Sequence, residues 1–181
     1  MEVDLKLAEE KGAMLGRDFL TWLWFKSDEQ GGIFKTRKGD DFSVYLEQKV
    51  VVEGGEGESL EKAVCTGIMS ELREARLGLR TGKKVARAKI RLEQDANEWI
   101  MEVNASDFTF SGIKTPRVET NREEGDDPDS AFLEKMFLLE KALEFLDELF
   151  RRFVELRLSI HWQGEVDAFR KWLYADDQFQ G

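Results

Sequence analysis

Between Leu15 and Phe25, apolar side chains fall on almost every face of a helical wheel. Leu15, Phe19, Trp22, Leu23 and Phe25 form one stripe, and Leu20 and Trp24 fill the others. Such a helix has to be covered on more than one side, in the core or in a subunit interface, and Gly31 and Gly32 stop it. The period then changes to two. IFKTR, a turn at Lys38 to Asp41, and FSVYLEQKVVVE read as two strands, with Phe42, Val44, Leu46 and Gln48 on one parity. GGEGES reads as a flexible hairpin loop. EKAVCTG returns as a strand with Ala63 and Cys65 on one face and Val64 on the other.

SELREARLGLRTG reads as a short helix capped by Ser70. Glu71 and Glu74 favour its first turns, Arg76 and Arg80 lie towards its end, and Gly82 terminates it. KKVARAKIRL then alternates, with Lys84, Ala86, Ala88, Ile90 and Leu92 on one parity and Lys83, Val85, Arg87, Lys89 and Arg91 on the other, which puts Ala86, Ala88, Ile90 and Leu92 on the core and Arg87, Lys89 and Arg91 in a row outside. EWIMEVNASDFTFSGIKTPRVE supplies two more strands, with Trp99, Met101 and Val103 on one parity. After an acidic stretch, capped at Asp129 or Ser130, AFLEKMFLLEKALEFLDELFRRFVELRLSIHW reads as one long helix. Its stripe is Phe132, Met136, Leu139, Leu143, Leu146, Phe150, Phe153 and Leu156, widened by Leu133, Phe137, Leu138, Phe145 and Leu149. That face is broader than one sheet contact needs, so part of it is expected to meet another subunit. EVDAFRKWLY forms a last short helix before a polar tail.

These elements predict an α+β fold, a mainly antiparallel sheet packed with an aromatic-rich N-terminal helix and a long C-terminal helix. The expected divisions are a polar lead over 1–14, an α+β domain over 15–118, an acidic linker over 119–130 and a C-terminal helical segment over 131–181. With 181 residues, 41% hydrophobic, including 13 Phe and 5 Trp, the chain has ample material for one core. Cys65 is its only cysteine, so no internal disulfide forms and a reducing, cytoplasmic setting is expected. No secretory leader and no membrane-spanning run is apparent.

Charge changes the picture at one place. Arg73 to Arg91 carries eight Lys or Arg against Glu74, a local +7 in a chain of net −10, which leaves −17 for the rest. The acidic total argues against indiscriminate binding to DNA or anionic membranes, yet it leaves room for a basic groove. A row of cations on a strand suits a polyphosphate backbone. The plainer reading is a solvated face whose charges deter edge pairing.

Other chemistry is sparse. With His161 as the single histidine and Cys65 as the single cysteine, no Cys/His metal cluster exists within one chain. His161, beside Trp162, reads as a helix-end cation or a core residue. GLRTGKK has the wrong spacing for a phosphate-binding P-loop and Lys84 where a magnesium-binding hydroxyl belongs. Asp41, Glu47 and Lys49 raise a magnesium-dependent nuclease as an alternative. A protein-interaction module, using the aromatic helix and the wide C-terminal stripe while the basic strand meets an acidic partner, is another. No cofactor is implied.

LGRDFLTWLWFKS, the following GIF, and above all LRTGKKVARAKIRLEQDANEWIMEVNASDFTFSGIKTPRV resemble the recombination-associated protein RdgC family. So does the succession of an acidic linker and DDPDSAFLEKMFLLEKAL. The resemblance runs from about Leu15 to Phe150 and covers the C-terminal half of the family's longer chains. It implies a cytoplasmic, nucleoid-associated, non-enzymatic protein that binds DNA with little sequence preference and restrains RecA-promoted recombination. It also implies a homodimer or higher assembly with DNA in a positively lined hole, and a second chain where a missing N-terminal half is needed. Carried across, the DNA contacts are Lys83, Lys84, Arg87, Lys89 and Arg91, with Lys114 as a weaker one; Arg76 and Arg80, on the preceding helix, join them by their charge.

Overall fold

The computed structural model describes residues 5–55, 61–66, 72–118 and 129–175. The hairpin loop tip, the Ser70 cap, most of the acidic linker and the polar tail lie outside them. Helix α1 spans Leu5–Glu29, so the expected polar lead is mostly helix. Its Leu, Lys, Ala and Glu residues are all good helix formers. Gly31 and Gly32, both left-handed (φ 62° and 80°), end it, and the Gly32 amide donates back to the Ser27 carbonyl at 2.6 Å.

Among the described residues six antiparallel strands follow: β1 (Ile33–Lys35), β2 (Asp41–Gly54), β3 (Glu61–Thr66), β4 (Lys84–Gln94), β5 (Asn97–Asn104) and β6 (Phe110–Lys114). Their order is β1-β2-β4-β5-β6, with β3 sharing the outer edge of β2 with β1. The basic strand β4 is therefore central. Guarding an edge is not its role.

Register lines up Val44, Leu92 and Trp99, and likewise Val50, Ala88 and Val103, on one buried face. Shifts between Leu46 and Val50 and between Val51 and Val52 interrupt the strict alternation. Val85, on the parity of Arg87, Lys89 and Arg91, is consequently fully buried against Val52. β4 and β5 join through a two-residue turn, with Asp95 left-handed at φ 54°.

Helix α2 (Leu72–Arg80) precedes β4, and α3 (Ser130–Arg157) and α4 (Trp162–Tyr174) close the chain. The single long helix expected to run through Trp162 instead breaks after Arg157. Ser159 Oγ donates to the Leu156 carbonyl and accepts the His161 amide, offering the backbone an alternative to another helical turn. His161 thereby takes the N-cap position of α4 and is exposed.

The aromatic helix is core, and no subunit interface is needed to cover it. Phe19, Leu20, Trp22, Leu23, Trp24 and Phe25 are all buried. Phe19 meets Phe150 edge-on at 5.2 Å, Trp22 meets Phe153, and Trp24 and Phe25 meet Trp172 and Phe169. Each such pair adds about 0.5–1.5 kcal/mol to the area it buries. The C-terminal helices share this core: Phe145 stacks on Phe42 at 4.7 Å, and Trp99 donates Nε1–H to the Leu138 carbonyl at 2.8 Å.

The described residues cover only the inner half of α3. Ala142, Phe145, Leu146, Leu149 and Phe153 are buried, whereas Phe132 (62%), Leu133 (63%), Met136 (48%) and Phe137 (62%) are exposed. Among the described residues no helix is long and apolar enough to cross a membrane.

Candidate nucleic-acid interface

Helices α1 and α3 cover one face of the sheet, and no described helix covers the other. Side chains of one parity on β2, β4, β5 and β6 form that open face. Tyr45, Arg91, Ile100 and Lys114 make one row across four strands, and Lys89 stands opposite Glu102 in the next. Pairing on both sides fixes the backbone of β4, so the spacing of Arg87, Lys89 and Arg91 is rigid.

The eight cations expected to act together divide between two sides. Arg87, Lys89, Arg91 and Lys114 stand on the open face. Arg76, Arg80, Lys83 and Lys84 turn towards the helical layer. Arg76 pairs with Asp28 and lies 4.3 Å over the Trp172 ring, and Arg80 donates to the Leu173 carbonyl and lies over Tyr174. Those contacts tie α2 to α1 and α4. Lys84 pairs with Asp18, whose other oxygen takes Arg157 at 2.7 Å. Lys83 pairs with Glu61 at 2.8 Å, and that hydrogen-bonded ammonium holds the Glu61 carboxyl below its usual range. Lys83 and Lys84 border an aromatic cavity of about 280 Å³ lined by Trp22, Phe25, Trp162 and Phe169.

On the open face the cations meet carboxylates that sequence reasoning missed. Glu102 takes Lys49 at 3.0 Å and Arg87 at 3.4 Å. Arg91 sits among Glu47 (2.8 Å), Glu93 (3.0 Å) and Glu98 (3.6 Å), and packs over Tyr45. Its Nε lies close to Glu47 but makes no directed hydrogen bond, so that contact is purely electrostatic. Lys89 and Lys114 have no ion pair among the described residues. Lys49, Arg87, Lys89, Arg91 and Lys114 thus face Glu47, Glu93, Glu98 and Glu102, a net +1. The local +7 of the sequence is largely neutralised across strands. Parity on β5 carried a signal for this, because Glu98 and Glu102 alternate with Trp99, Met101 and Val103.

The residues of the nuclease alternative are not brought together. Asp41 and Glu47 lie six residues apart on one extended strand, about 20 Å. Asp41 pairs with Lys35, Glu47 with Arg91 and Lys49 with Glu102. Among the described residues no three His, Cys, Asp or Glu side chains converge as a metal site would require.

Where β5 leads into β6, Asp107 Oδ1 accepts from the Thr109 amide (3.0 Å) and hydroxyl (2.8 Å). These bonds, with the nearby Arg87 charge, hold its carboxyl below the usual aspartate range. No family model, no curated protein and no solved structure matches this chain.

Proposed function

We propose that this protein binds DNA without sequence preference by placing its open sheet face against the phosphate backbone, as a non-enzymatic protein of RdgC type. The observation that carries this reading is the set of Arg87, Lys89, Arg91 and Lys114, projecting from a rigid sheet face that no described helix covers. No described helix presents an Asn, Gln and Arg array for base edges, which fits contact with phosphates alone. The resemblance extends the proposal to nucleoid association and to restraint of RecA-promoted recombination.

Cross-strand carboxylates set the expected strength. If Lys89 and Lys114 alone reach phosphates, the log–log salt slope is about −1.8; with Arg87 and Arg91 released as well it is about −3.6. Fluorescence anisotropy on single- and double-stranded oligonucleotides at about 50 and 200 mM salt, with and without magnesium, tests this. Binding that falls along such a slope, with the DNA left intact, is expected. A flat salt response, or binding unchanged in R87Q/K89Q/R91Q, overturns it.

A second reading, assembly through α3, is favoured by the exposed Phe132, Leu133, Met136 and Phe137. Phe132, Met136, Leu139 and Leu143 follow the four-three spacing of a helix pair. Lys135 and Glu140, five apart, would face each other in a parallel pair of two copies. Loss of a dimer in F132S/F137S by analytical ultracentrifugation, with DNA binding retained, separates the two readings.

A further inference from the structure

At the Arg87 end of the sheet a small polar cavity of about 160 Å³ is built from five separate elements. α1 contributes Arg17, β2 contributes Glu53, β3 contributes Lys62, β4 contributes Arg87, and the end of β5 with its following turn contributes Asn104 and Ser106. The buried Val51 and Ala86 complete the lining. Three cations against one carboxylate leave it at +2.

The polar groups are arranged with donors to spare. Glu53 is fully engaged, Oε2 with Arg17 Nη2 and Oε1 with Lys62 Nζ, both at 3.2 Å. Asn104 Oδ1 accepts from the Ser106 amide (3.2 Å) and hydroxyl (3.0 Å), so what the side chain offers outward is its NH₂. Arg87 holds Glu102 by one nitrogen at 3.4 Å. Among the described residues Arg17 Nε is buried without a directed hydrogen-bond partner, so its guanidinium is held through Nη2 on Glu53. The space is large enough for a small anion or several waters.

The position of Arg17 is set by its neighbour. A Cβ on Gly16 would overlap the Ala105 carbonyl oxygen, so only glycine lets α1 approach the end of β5 this closely. The Ala105 amide in turn donates to the Ala86 carbonyl at 2.9 Å, fixing the cavity wall.

We infer that this cavity binds a single tetrahedral oxyanion, a phosphate group, with Arg17, Lys62 and Arg87 as its charges and the Asn104 NH₂ as a donor. Glu53 orients Arg17 and Lys62 and opposes the anion, which sets the affinity below what three cations alone would give. The site shares only Arg87 with the open-face reading and stands if that reading fails.

Isothermal titration calorimetry of the full chain with inorganic phosphate, in a chloride buffer, tests the inference. Saturable one-site binding is expected. R17Q, losing a charge-assisted hydrogen bond, weakens it about tenfold or more. K62Q, a change at an exposed side chain, weakens it less, and E53Q tightens it while lowering the melting temperature. A site created merely by an Arg17–Glu53 ion pair would lose stability in both variants and bind nothing. Absent phosphate binding in the wild type, or binding unaffected by R17Q in a chain that melts normally, overturns the proposal.

Competition identifies the source of the phosphate. A 5′-phosphorylated oligonucleotide that competes better than its 5′-hydroxyl counterpart indicates strand ends, and equal competition indicates internal phosphodiesters. Competition by neither indicates a free anion or a small phosphate ester. K89Q/K114Q removes open-face contacts and leaves phosphate binding intact, so each proposal can fail alone.

Discussion

Replacing Glu102 by Gln removes the carboxylate that holds two cations of the open face and stands opposite a third. Its oxygens lie 3.0 Å from Lys49 and 3.4 Å from Arg87, with Lys89 in register across the strand pair. The amide is nearly the same size, so packing is conserved while the charge of the face rises from +1 to +2. Both ion pairs are partly exposed, and each contributes at most about 1 kcal/mol, so folding weakens by at most about 1–2 kcal/mol. For binding the change has the opposite sign. Freeing Lys49 and Arg87 for phosphates steepens the log–log slope from about −1.8 towards about −3.6 and raises affinity at 0.1 M salt up to about sixtyfold. Anisotropy titrations across a salt series read both quantities, and Glu134→Gln on the outer part of α3, an exposed position, controls for the same shift in net charge. A less stable variant that binds DNA more tightly is expected. If E102Q and E134Q bind alike, the open face does not contact the phosphates.

Three further outcomes test the packing and the turn. Gly16→Ala forces α1 away from the Ala105 carbonyl and costs about 1–3 kcal/mol, measured as a lower denaturant midpoint at unchanged m-value. An unchanged midpoint would show that the helix shifts freely. Trp99→Phe empties part of a fully buried site and deletes the bond to the Leu138 carbonyl, a loss of about 1–3 kcal/mol; a change under about 0.5 would sink that accounting. The folded-state pKa of Asp107 is depressed, so its contribution to the turn is present above the ordinary value of 3.8 and is lost as pH falls through the lower folded value. In an NMR titration the Thr109 amide should therefore move with a midpoint below 3.8, and a midpoint at or above it contradicts the two hydrogen bonds.

How far the sequence reached follows from what its signals depend on. The burial of α1 was legible because apolar residues on every face of a helix permit no exposed solution. The inward parity of Ala88, Ile90 and Leu92 was legible because a period of two needs only the strand itself. What escaped depends on partners. Nothing local in KKVARAKIRL says that β4 is central, or that Glu98 and Glu102 on β5 and Glu47 on β2 lie beside its arginines. The register shifts around Leu46 and Val50 are likewise properties of a strand pair, and they moved Val85 inside. The end of α3 was local, but Ser159 acts through a competing hydrogen bond that periodicity does not see. Arg17 had a faint signal in Gly16, a costly residue inside a helix that is retained where another backbone comes close.

Helix α3 is one continuous rod with its inner half gripped and its outer half free. Phe132 and Phe145 are 13 residues apart, about 20 Å along the axis. Phe145 is wedged between Phe42 and Trp99, the residues that line the inner face of β2 and β5. A load applied at Phe132 is therefore borne about 20 Å away, on the back of the strands whose opposite sides carry Tyr45, Glu98, Ile100 and Glu102. The helix is a lever whose fulcrum is the aromatic core. Whatever seats against its free arm is mechanically connected to the charged face on the far side of the sheet.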